Sequence, residues 1–337
     1  MTIREQIEQN EREYLSPYAC CSADSKGREK EEEECDIRPV FQRDRDRILH
    51  SKSFRRLKNK TQVFLTPKGD HYRTRLSHTL EVSQNARTIA KALKLNEDLV
   101  EAIALGHDLG HTPFGHAGEH VLNGIYEGGF KHNEQSVRIV DKLERNGEGL
   151  NLTWEVRDGI LNHQMKTEPH TLEGKVVRLA DKIAYVNSDF DDAIRAQILC
   201  EEDIPLELRK TLGFTVRTRL DHLIHDIIIN SQGTGDIVMS KETYEALQEL
   251  RGFMYANVYK NPVAKGEEVK AKLMLEQLYY YYMEHLELLP TKYRRFLEEG
   301  EPEGRIVCDY VSGMTDQFAI ASFSKFFLPE AWQVDGY

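Results

Sequence analysis

The sequence predicts an all-α protein, and three observations support this. Apolar residues recur every three or four positions over long segments, from Leu76 to Leu93, from Val176 to Val186 and again beyond residue 204. Runs that alternate between apolar and polar residues, as strands do, are scarce. The apolar fraction of 40% in a chain of 337 residues is enough to fill a sizeable core. We therefore expect a globular, mostly helical protein.

Each helix is predicted from its apolar spacing and its end signals. The first begins after residue 74 and is closed by Asn96, and the second runs from Leu99 into His107 and is stopped by Gly110 and Pro113. Weaker helical patterns cover 134–145, 154–163 with Thr153 as N-cap, 174–198 and several stretches of 204–300. Residues 16–40 are poor in apolar side chains and are predicted to be extended or mobile.

The charge of the chain is uneven. The formal net charge of -11 argues against a protein that coats nucleic acid or an anionic membrane with its whole surface. Residues 38–75 nevertheless contain twelve Lys or Arg and only three Asp. A basic segment therefore lies directly before the histidine-rich stretch AIALGHDLGHTPFGHAGEH at 102–120.

The cysteines and the N-terminus indicate the compartment. Five cysteines with no CxxC pair are typical of reduced thiols in the cytosol, and they make a cysteine zinc site improbable. The first residues, MTIREQIEQNEREY, lack the apolar core of a signal peptide, and no run of about eighteen apolar residues follows them. We therefore expect a cytoplasmic protein with no membrane partner.

A metal site is predicted around the dipeptide His107-Asp108. Adjacent side chains on a regular helix diverge by about 100°, so both can face one ion only where the helix ends, as Gly110 indicates. His78 and Asp181 lie on separate predicted helices and supply two further ligands. Imidazole and carboxylate without thiolate suit Mn²⁺, Fe²⁺, Mg²⁺ or Zn²⁺ in a site with open positions.

A second dipeptide of the same kind, His225-Asp226, lies in an apolar repeat without comparable neighbours. We assign it to an ordinary helix. We also place His120 on a helix surface and assign the run from Tyr279 to Tyr282 to core and subunit interface rather than to base stacking.

Longer motifs then carry a family resemblance. They are QRDRDRILHSKSFRRLKNKTQVF, HYRTRLSHTLEV, AIALGHDLGHTPFGHAGE, HNEQSVRIV, GLNLTWEVRDGILNH and RLADKIAYVNSDFDDAI. In this order, over about residues 14–260, the chain resembles the dGTPase-like deoxynucleoside triphosphate triphosphohydrolases of the HD superfamily of metal-dependent phosphohydrolases. The resemblance implies an HD-domain helical fold with additional C-terminal helices. We expect an N-terminal extension and basic segment at 1–60, the HD core at 61–200 and a C-terminal helical region packed on it at 201–337.

The resemblance also implies an activity and its residues. The activity is hydrolysis of dGTP or several dNTPs to a deoxynucleoside and inorganic triphosphate, with a divalent ion (Mn²⁺, Fe²⁺ or Mg²⁺, with Zn²⁺ or Ni²⁺ possible in a crystal) on His78, His107, Asp108 and Asp181. His116, Glu119 and His132 match catalytic positions, and His116 either donates a proton or attacks phosphorus. Substrate-binding positions match Gln62, Arg75, His111, Lys182, Tyr185 and Asp189. The chain departs from the family at Ser188, where a histidine is common, which puts the sugar contact in doubt.

Two alternatives stay open from sequence. Another HD phosphohydrolase activity, on a nucleoside monophosphate or a signalling nucleotide, would use the same metal ligands. A catalytically idle nucleotide-binding or nucleic-acid-binding sensor would use the basic segment instead. Arg43, Arg45 and Arg47 form either a self-paired solvated face or a phosphate or subunit contact. We further expect a homo-oligomer, and we include a weak contact with single-stranded nucleic acid among the partners.

Overall fold

A computed structural model describes residues 1–62, 72–259 and 262–329. Within these ranges the chain forms α-helices, and backbone pairing outside helices is limited to two isolated bridges, Arg28 with Thr153 and Thr61 with Thr74. The predicted all-α class is confirmed. The helices are α1 (Ile3–Tyr14), α2 (Val40–Leu49), α3 (Lys52–Arg56), α4 (Arg75–Leu93), α5 (Glu97–Gly106), α6 (His116–Ile125), α7 (His132–Arg138), α8 (Trp154–Leu161), α9 (Leu172–Arg195), α10 (Leu206–Leu212), α11 (Val216–Ser231), α12 (Lys241–Met254), α13 (Pro262–Glu284), α14 (Thr291–Glu298), α15 (Glu303–Ser312) and α16 (Asp316–Phe327).

Three helices form the centre of the fold. Helix α4 packs against both α5 and α9, and α5 also packs against α2, α8 and α9. Helices α5 and α8 approach closely because each carries a glycine at the crossing. A Cβ atom on Gly106 would lie 2.5 Å from Ile160, and one on Gly159 would lie 2.5 Å from Ile103. This contact fixes the ends of α5 and α8, the points from which His107 and His163 project.

Two predicted helix signals act differently in the structure. Helix α4 ends at Leu93, and Lys94 takes the left-handed conformation there. Asn96, expected to close α4, instead caps the N-terminus of α5, where its side chain accepts from the backbone of Asp98 and Leu99. Thr153 is the N-cap of α8 as predicted, but its hydroxyl donates to Asp44 rather than capping the helix.

The segment at 16–40 is largely non-helical, as predicted, and it is fastened to the core. The backbone amide of Cys20 donates to Glu173 over 3.0 Å, and that of Lys26 donates to Glu155 over 2.7 Å. Arg28 pairs with the fully buried Asp44 of α2. These contacts connect the N-terminal segment with α2, with α8 and with α9, and α9 carries Asp181 and Lys182.

The C-terminal helices pack on the central ones. Helix α11 contacts α4 and α9, α12 contacts α9, and α13 contacts α6, α15 and α16. In the tyrosine run, Tyr279 and Tyr282 are buried and Tyr280 is exposed. Over the described part of the chain, none of the helices combines the length and the apolarity needed to cross a bilayer. All five cysteines are free.

Candidate active site

Three helices bring the four predicted metal ligands together. His78 projects from α4, Asp181 from α9, and His107 with Asp108 from the turn that follows α5. The Nδ1 atom of His107 lies 2.6 Å from the carbonyl oxygen of Ala104. Because a carbonyl can only accept, Nδ1 carries the proton and Nε2 presents a lone pair.

The candidate ligand atoms lie within a few tenths of an ångström of the separations that one cation requires. His78 Nε2 is 3.0 Å from Asp181 Oδ1, and His107 Nε2 is 3.7 Å from Asp181 Oδ1 and 3.6 Å from Asp108 Oδ1. Ligands held about 2.1 Å from one ion at angles of about 90° to 110° lie roughly 3.0 to 3.4 Å apart. The buried Nε2 of His107 has no hydrogen-bond partner among the described residues. These residues therefore fit a divalent cation.

Both carboxylates of this cluster are ionised. Burial alone would raise the pKa of Asp108, but the neighbouring His111 and Arg75 hold that pKa well below its usual range. Arg75 Nη1 donates to Asp108 Oδ2 over 2.8 Å. At Asp181 the hydrogen bond from His78 outweighs burial and lowers the pKa to about 2. The cluster therefore presents two negative charges at neutral pH.

The predicted catalytic residues lie beside the metal cluster. His132 Nδ1 is 2.9 Å from Glu119 Oε1, and His116 Nδ1 is 3.4 Å from Glu119 Oε2. Glu119 therefore contacts both histidines. Hydrogen bonds from the two imidazoles outweigh burial and lower the pKa of Glu119. The ring of His111 stacks on that of His132 at 3.9 Å.

His163 joins this cluster and was not singled out from sequence. Its Nδ1 atom donates to the carbonyl of Ile160 over 2.7 Å, and its Nε2 atom lies 3.2 Å from Nε2 of His132. His132 Nδ1 is committed to Glu119, so two neutral imidazoles would oppose lone pairs. The contact is therefore favourable only with a proton or a cation between the two nitrogens. Burial and the neighbouring histidines lower the pKa of His163 to about 4.

A cavity of about 300 Å³, the first cavity, opens on this cluster. Its lining includes Gln62, Arg75, His111, Lys182 and Tyr185, all predicted to bind substrate. The Lys182 Nζ atom is buried without a hydrogen-bond partner among the described residues. Burial and the nearby guanidinium groups lower the pKa of this amine to about 8. Three further basic residues, which the sequence did not single out, also line the cavity: Lys166, Arg178 and Arg251.

A second cavity, of about 410 Å³, shares Gln62, His116, Tyr185 and Arg251 with the first. It adds Asp189, predicted from sequence, and Tyr259, which was missed. The Tyr259 hydroxyl donates to Asp189, and its ring stacks on that of Tyr185 at 5.7 Å. Burial raises the pKa of Asp189 to about 7.

Ser188, where the chain departs from the family pattern, makes a different contact from its neighbour Asp189. Its hydroxyl donates to Glu81 on α4 over 2.5 Å. The residue is buried, at 4% exposure. In the described structure Ser188 therefore connects α9 with α4 rather than lining either of the two cavities.

Within the basic segment at 38–75, Gln62 and Arg75 line the first cavity, whereas the arginines of the RDRDR motif line neither of the two cavities. Arg43 and Arg47 pair with Glu32, and Arg45 pairs with Asp46, Asp98 and Glu101. These three arginines are therefore paired with carboxylates, and the partner of Arg43 and Arg47 lies outside the motif. Positions 63–71 lie outside the described residues. Part of the segment instead lines a separate basic cavity of about 460 Å³, with Arg38, Arg43, Arg47, Lys52 and Arg55 in its wall.

The second His-Asp pair lies apart from the cluster, as predicted. On α11, His225 is exposed, and the Asp226 carboxylate accepts from the backbone of Ser240 and the hydroxyl of Thr243. His120 is also exposed.

Comparison with known families and proteins identifies the family of the chain. The HD domain model matches residues 75–186, which contain all four candidate metal ligands, and the phosphohydrolase-associated domain model matches residues 237–325. A protein from Caldanaerobacter subterraneus subsp. tengcongensis is 57% identical, with 98% of both chains covered. Its description is deoxyguanosinetriphosphate triphosphohydrolase-like protein. The chain belongs to this HD-domain, dGTPase-like family.

Other relatives carry the same description. One from Clostridium perfringens is 52% identical over 98% of this chain and 99% of its own, and one from Desulfatibacillum aliphaticivorans is 50% identical over 98% and 99%. Membership of the family makes this chain a hydrolase of the HD phosphohydrolase class.

Solved structures share the fold at low sequence identity. A phosphohydrolase from Bacteroides thetaiotaomicron VPI-5482 matches 83% of this chain and 68% of its own with a TM-score of 0.51 and 17% identity. A protein from Aquifex aeolicus described as hypothetical matches 86% and 68% with a TM-score of 0.50 and 20% identity. These likenesses concern the arrangement of helices alone.

Proposed function

We propose that this protein hydrolyses deoxynucleoside triphosphates at the α-phosphorus, releasing a deoxynucleoside and inorganic triphosphate. The observation that carries the proposal is the pair of cavities that share Gln62, His116, Tyr185 and Arg251. One is lined by cations beside the metal cluster, and the other by aromatic and polar side chains. A nucleotide likewise consists of an anionic triphosphate and an aromatic, polar nucleoside. Its α-phosphate would lie where the two cavities meet. The description of the relatives supports dGTP among the substrates.

The first cavity suits a triphosphate. Arg75, Lys182, Arg178 and Arg251 line it, and a triphosphate brings about four negative charges that such donors bind through charge-assisted bonds. Lys182 supports this role most directly, because its buried Nζ atom has no hydrogen-bond partner among the described residues. Its close contact is with the ring of Tyr244, 4.5 Å away, and a buried cation without a hydrogen-bond partner is costly unless a ligand compensates it.

His78, His107, Asp108 and Asp181 would hold the divalent ion. When bound, such an ion polarises a phosphoryl oxygen and favours ionisation of water near neutral pH. The residues around it keep the ligands in place. Arg75 fixes Asp108 through Oδ2, and the carbonyl of Ala104 fixes the tautomer of His107. Such outer contacts orient metal ligands and set their basicity.

The leaving 5′-oxygen needs a proton, and we assign its delivery to His116. Its side chain is 66% exposed, lines both cavities and lies 3.4 Å from Glu119. A histidine held by a carboxylate in this way is a suitable general acid for a leaving oxygen. His132 holds the other side of Glu119 and orients it through two contacts of about 3 Å.

The second cavity suits the nucleoside. Tyr185 and Tyr259 offer stacked rings, and the Asp189 carboxyl group provides a hydrogen-bonding group for a sugar hydroxyl. The proposal includes a homo-oligomer, which would cover apolar residues exposed on α13. Val269 is 57% exposed and Leu273 is 54% exposed.

Incubation with each dNTP and NTP, with Mn²⁺ or Mg²⁺ and chromatography of the products, tests the proposal. We expect inorganic triphosphate and a deoxynucleoside from at least one dNTP. Orthophosphate or pyrophosphate as the first product would indicate another HD phosphohydrolase activity. Nucleotide binding without turnover, persisting in a chelated His107→Ala sample, would indicate a sensor.

A further inference from the structure

The start of α16 is hydrogen-bonded to two segments that line the site, one ending at Gln62 and the other leading to His116. Asp316, the first residue of α16, is only 3% exposed. One carboxylate oxygen, Oδ2, accepts from the backbone amide of Thr61 over 2.9 Å and also from the Thr61 hydroxyl. The other, Oδ1, accepts from the backbone amide of Phe114 over 3.0 Å. A single buried carboxylate therefore joins two segments that are distant in sequence.

Each of these segments leads directly into a residue of both cavities. Thr61 precedes Gln62, and Phe114 lies two residues before His116. The backbone between them is unusual, because Phe114 has a φ of 60° and Gly115 a φ of 57°. A positive φ is unfavourable for a phenylalanine and persists only where the surroundings hold it. The hydrogen bond from the Phe114 amide to Asp316 supplies such a restraint.

A second contact ties the same turn to the same loop. The Lys60 Nζ atom donates to the carbonyl of Ser312, at the end of α15, over 3.0 Å, and it also donates to the carbonyl of His111. The Lys60 carbonyl accepts from the amide of Arg75 over 3.0 Å, at the start of α4. The segment that Asp316 holds is therefore hydrogen-bonded to the start of α4, the helix that carries His78.

We propose that Asp316 is a positioning residue for the nucleotide site, setting the separation of Gln62 and His116 from the C-terminal part of the chain. This inference rests on the proposed function. Asp316 lines neither cavity, so its effect on turnover is transmitted through the backbone of Thr61 and Phe114. Loss of the carboxylate would remove the acceptor of the Thr61 and Phe114 amides and free both segments to move.

Kinetics of Asp316→Ala and Asp316→Asn test this role. Misplacement of a reacting group by about 1 Å can lower a rate roughly 100-fold, so we expect kcat/KM of Asp316→Ala to fall by about 10-fold to 100-fold. Both constants should change. We expect kcat to fall because His116 is displaced, and KM to rise because Gln62 is displaced. Asp316→Asn keeps one acceptor oxygen and should recover part of the loss. Metal content should match that of the parent protein in both variants.

Thr315→Ala provides the matched control. Thr315 caps α16, its hydroxyl accepting from the amide of Phe318 over 3.2 Å. Its removal weakens the same helix start but leaves the contacts of Asp316 in place. We expect a melting temperature lowered by a few degrees with kcat and KM unchanged. Equal kinetic losses in Thr315→Ala and Asp316→Ala would overturn the inference, because helix stability alone would then explain them.

Hydrogen exchange at the amides of Thr61 and Phe114 gives a readout that does not depend on turnover. Asp316→Ala should speed exchange at both amides, and Thr315→Ala should not. If the parent protein hydrolyses no dNTP, the proposed function fails and the exchange data still decide the role of Asp316. Unchanged protection in Asp316→Ala, or parental kinetic constants in that variant, would overturn the inference.

Discussion

The Nε2 atom of His78 lies 3.0 Å from Oδ1 of Asp181, although the two residues are 103 positions apart in the chain. The packing of α4 on α9 brings them together, and the turn after α5 adds His107 and Asp108. This convergence is the structural basis for a metal centre and for the first prediction.

Removal of one metal ligand should abolish tight metal binding. Asp181→Asn and His107→Ala each lose a charge or a lone pair directed at the cation. Outer-shell partners of metal ligands are already worth about 10-fold to 100-fold in affinity, so we expect a ligand to be worth about 100-fold or more. Titration calorimetry with Mn²⁺ and metal analysis after dialysis measure this. The control is His225→Ala, in the exposed second His-Asp pair, and an equal loss there would contradict the assignment.

A methyl group at Gly110 should destabilise the fold. An added Cβ would lie 2.2 Å from the carbonyl oxygen of His132 and 2.3 Å from the amide of Ser136. Backbone must move to relieve these contacts, so Gly110→Ala should cost about 1 to 3 kcal/mol or more in free energy of unfolding. Urea denaturation measures the loss. In Gly124→Ala an added Cβ meets nothing within 4 Å, and that helical variant should be neutral or slightly more stable. Equal stability of the two variants would contradict the packing described.

Replacement of Lys182 by methionine should weaken triphosphate binding while stabilising the free protein. The Nζ atom is buried without a hydrogen-bond partner among the described residues, so an apolar side chain removes an unfavourable charge. Affinity for inorganic tripolyphosphate should fall by roughly 10-fold or more, since a hydrogen bond to a charged group contributes about 1.5 to 3 kcal/mol.

Calorimetry and thermal unfolding of Lys182→Met measure the two effects. Lys241→Ala, on the exposed surface of α12, serves as the control and should change neither. A Lys182→Met protein that binds tripolyphosphate as tightly as the parent would contradict the phosphate role.

Asp189 should make the fold more stable at mildly acid pH than at neutral pH. Burial raises the pKa of this carboxyl to about 7, against about 3.9 in an unfolded chain. Between these values the folded state binds more protons than the unfolded state. Stability contributed by Asp189 therefore falls as the pH rises, by up to about 1.4 kcal/mol per unit.

Asp189→Asn removes this dependence and keeps an acceptor for the Tyr259 hydroxyl. Relative to the parent, the variant should gain stability between about pH 5 and pH 7. Urea denaturation across this range measures the gain. The control is Asp221→Asn, at an exposed position, whose dependence of stability on pH should match that of the parent. The same match for Asp189→Asn would contradict the raised pKa of the Asp189 carboxyl.

Periodicity and end signals were enough to predict the helical class and to assign His78, the His107-Asp108 pair and Asp181 to three different elements. His78 falls within the apolar repeat of α4 and Asp181 within that of α9, so their elements could be read directly. The roles of Asn96 and Thr153 were harder to predict. A residue that suits both ends of a helix acts according to its tertiary neighbours, and Asn96 caps α5 rather than closing α4.

Residues that reach the site through packing could not be found from local pattern. His163 follows α8 and meets His132 only because α8 packs on α7, and Tyr259 reaches Asp189 across 70 positions of sequence. Asp316 contacts Phe114 across 202 positions. Nothing in the spacing of one element specifies such meetings, because they depend on how whole helices are arranged.

Attack of water on the α-phosphorus of a dNTP in this site is tested most directly by the fate of the water oxygen. The metal-loaded protein would turn over dGTP in water enriched in heavy oxygen, with both products analysed by mass spectrometry. The account predicts heavy oxygen in the inorganic triphosphate and none in the deoxynucleoside. Label in the deoxynucleoside, or in released orthophosphate or pyrophosphate, would contradict it.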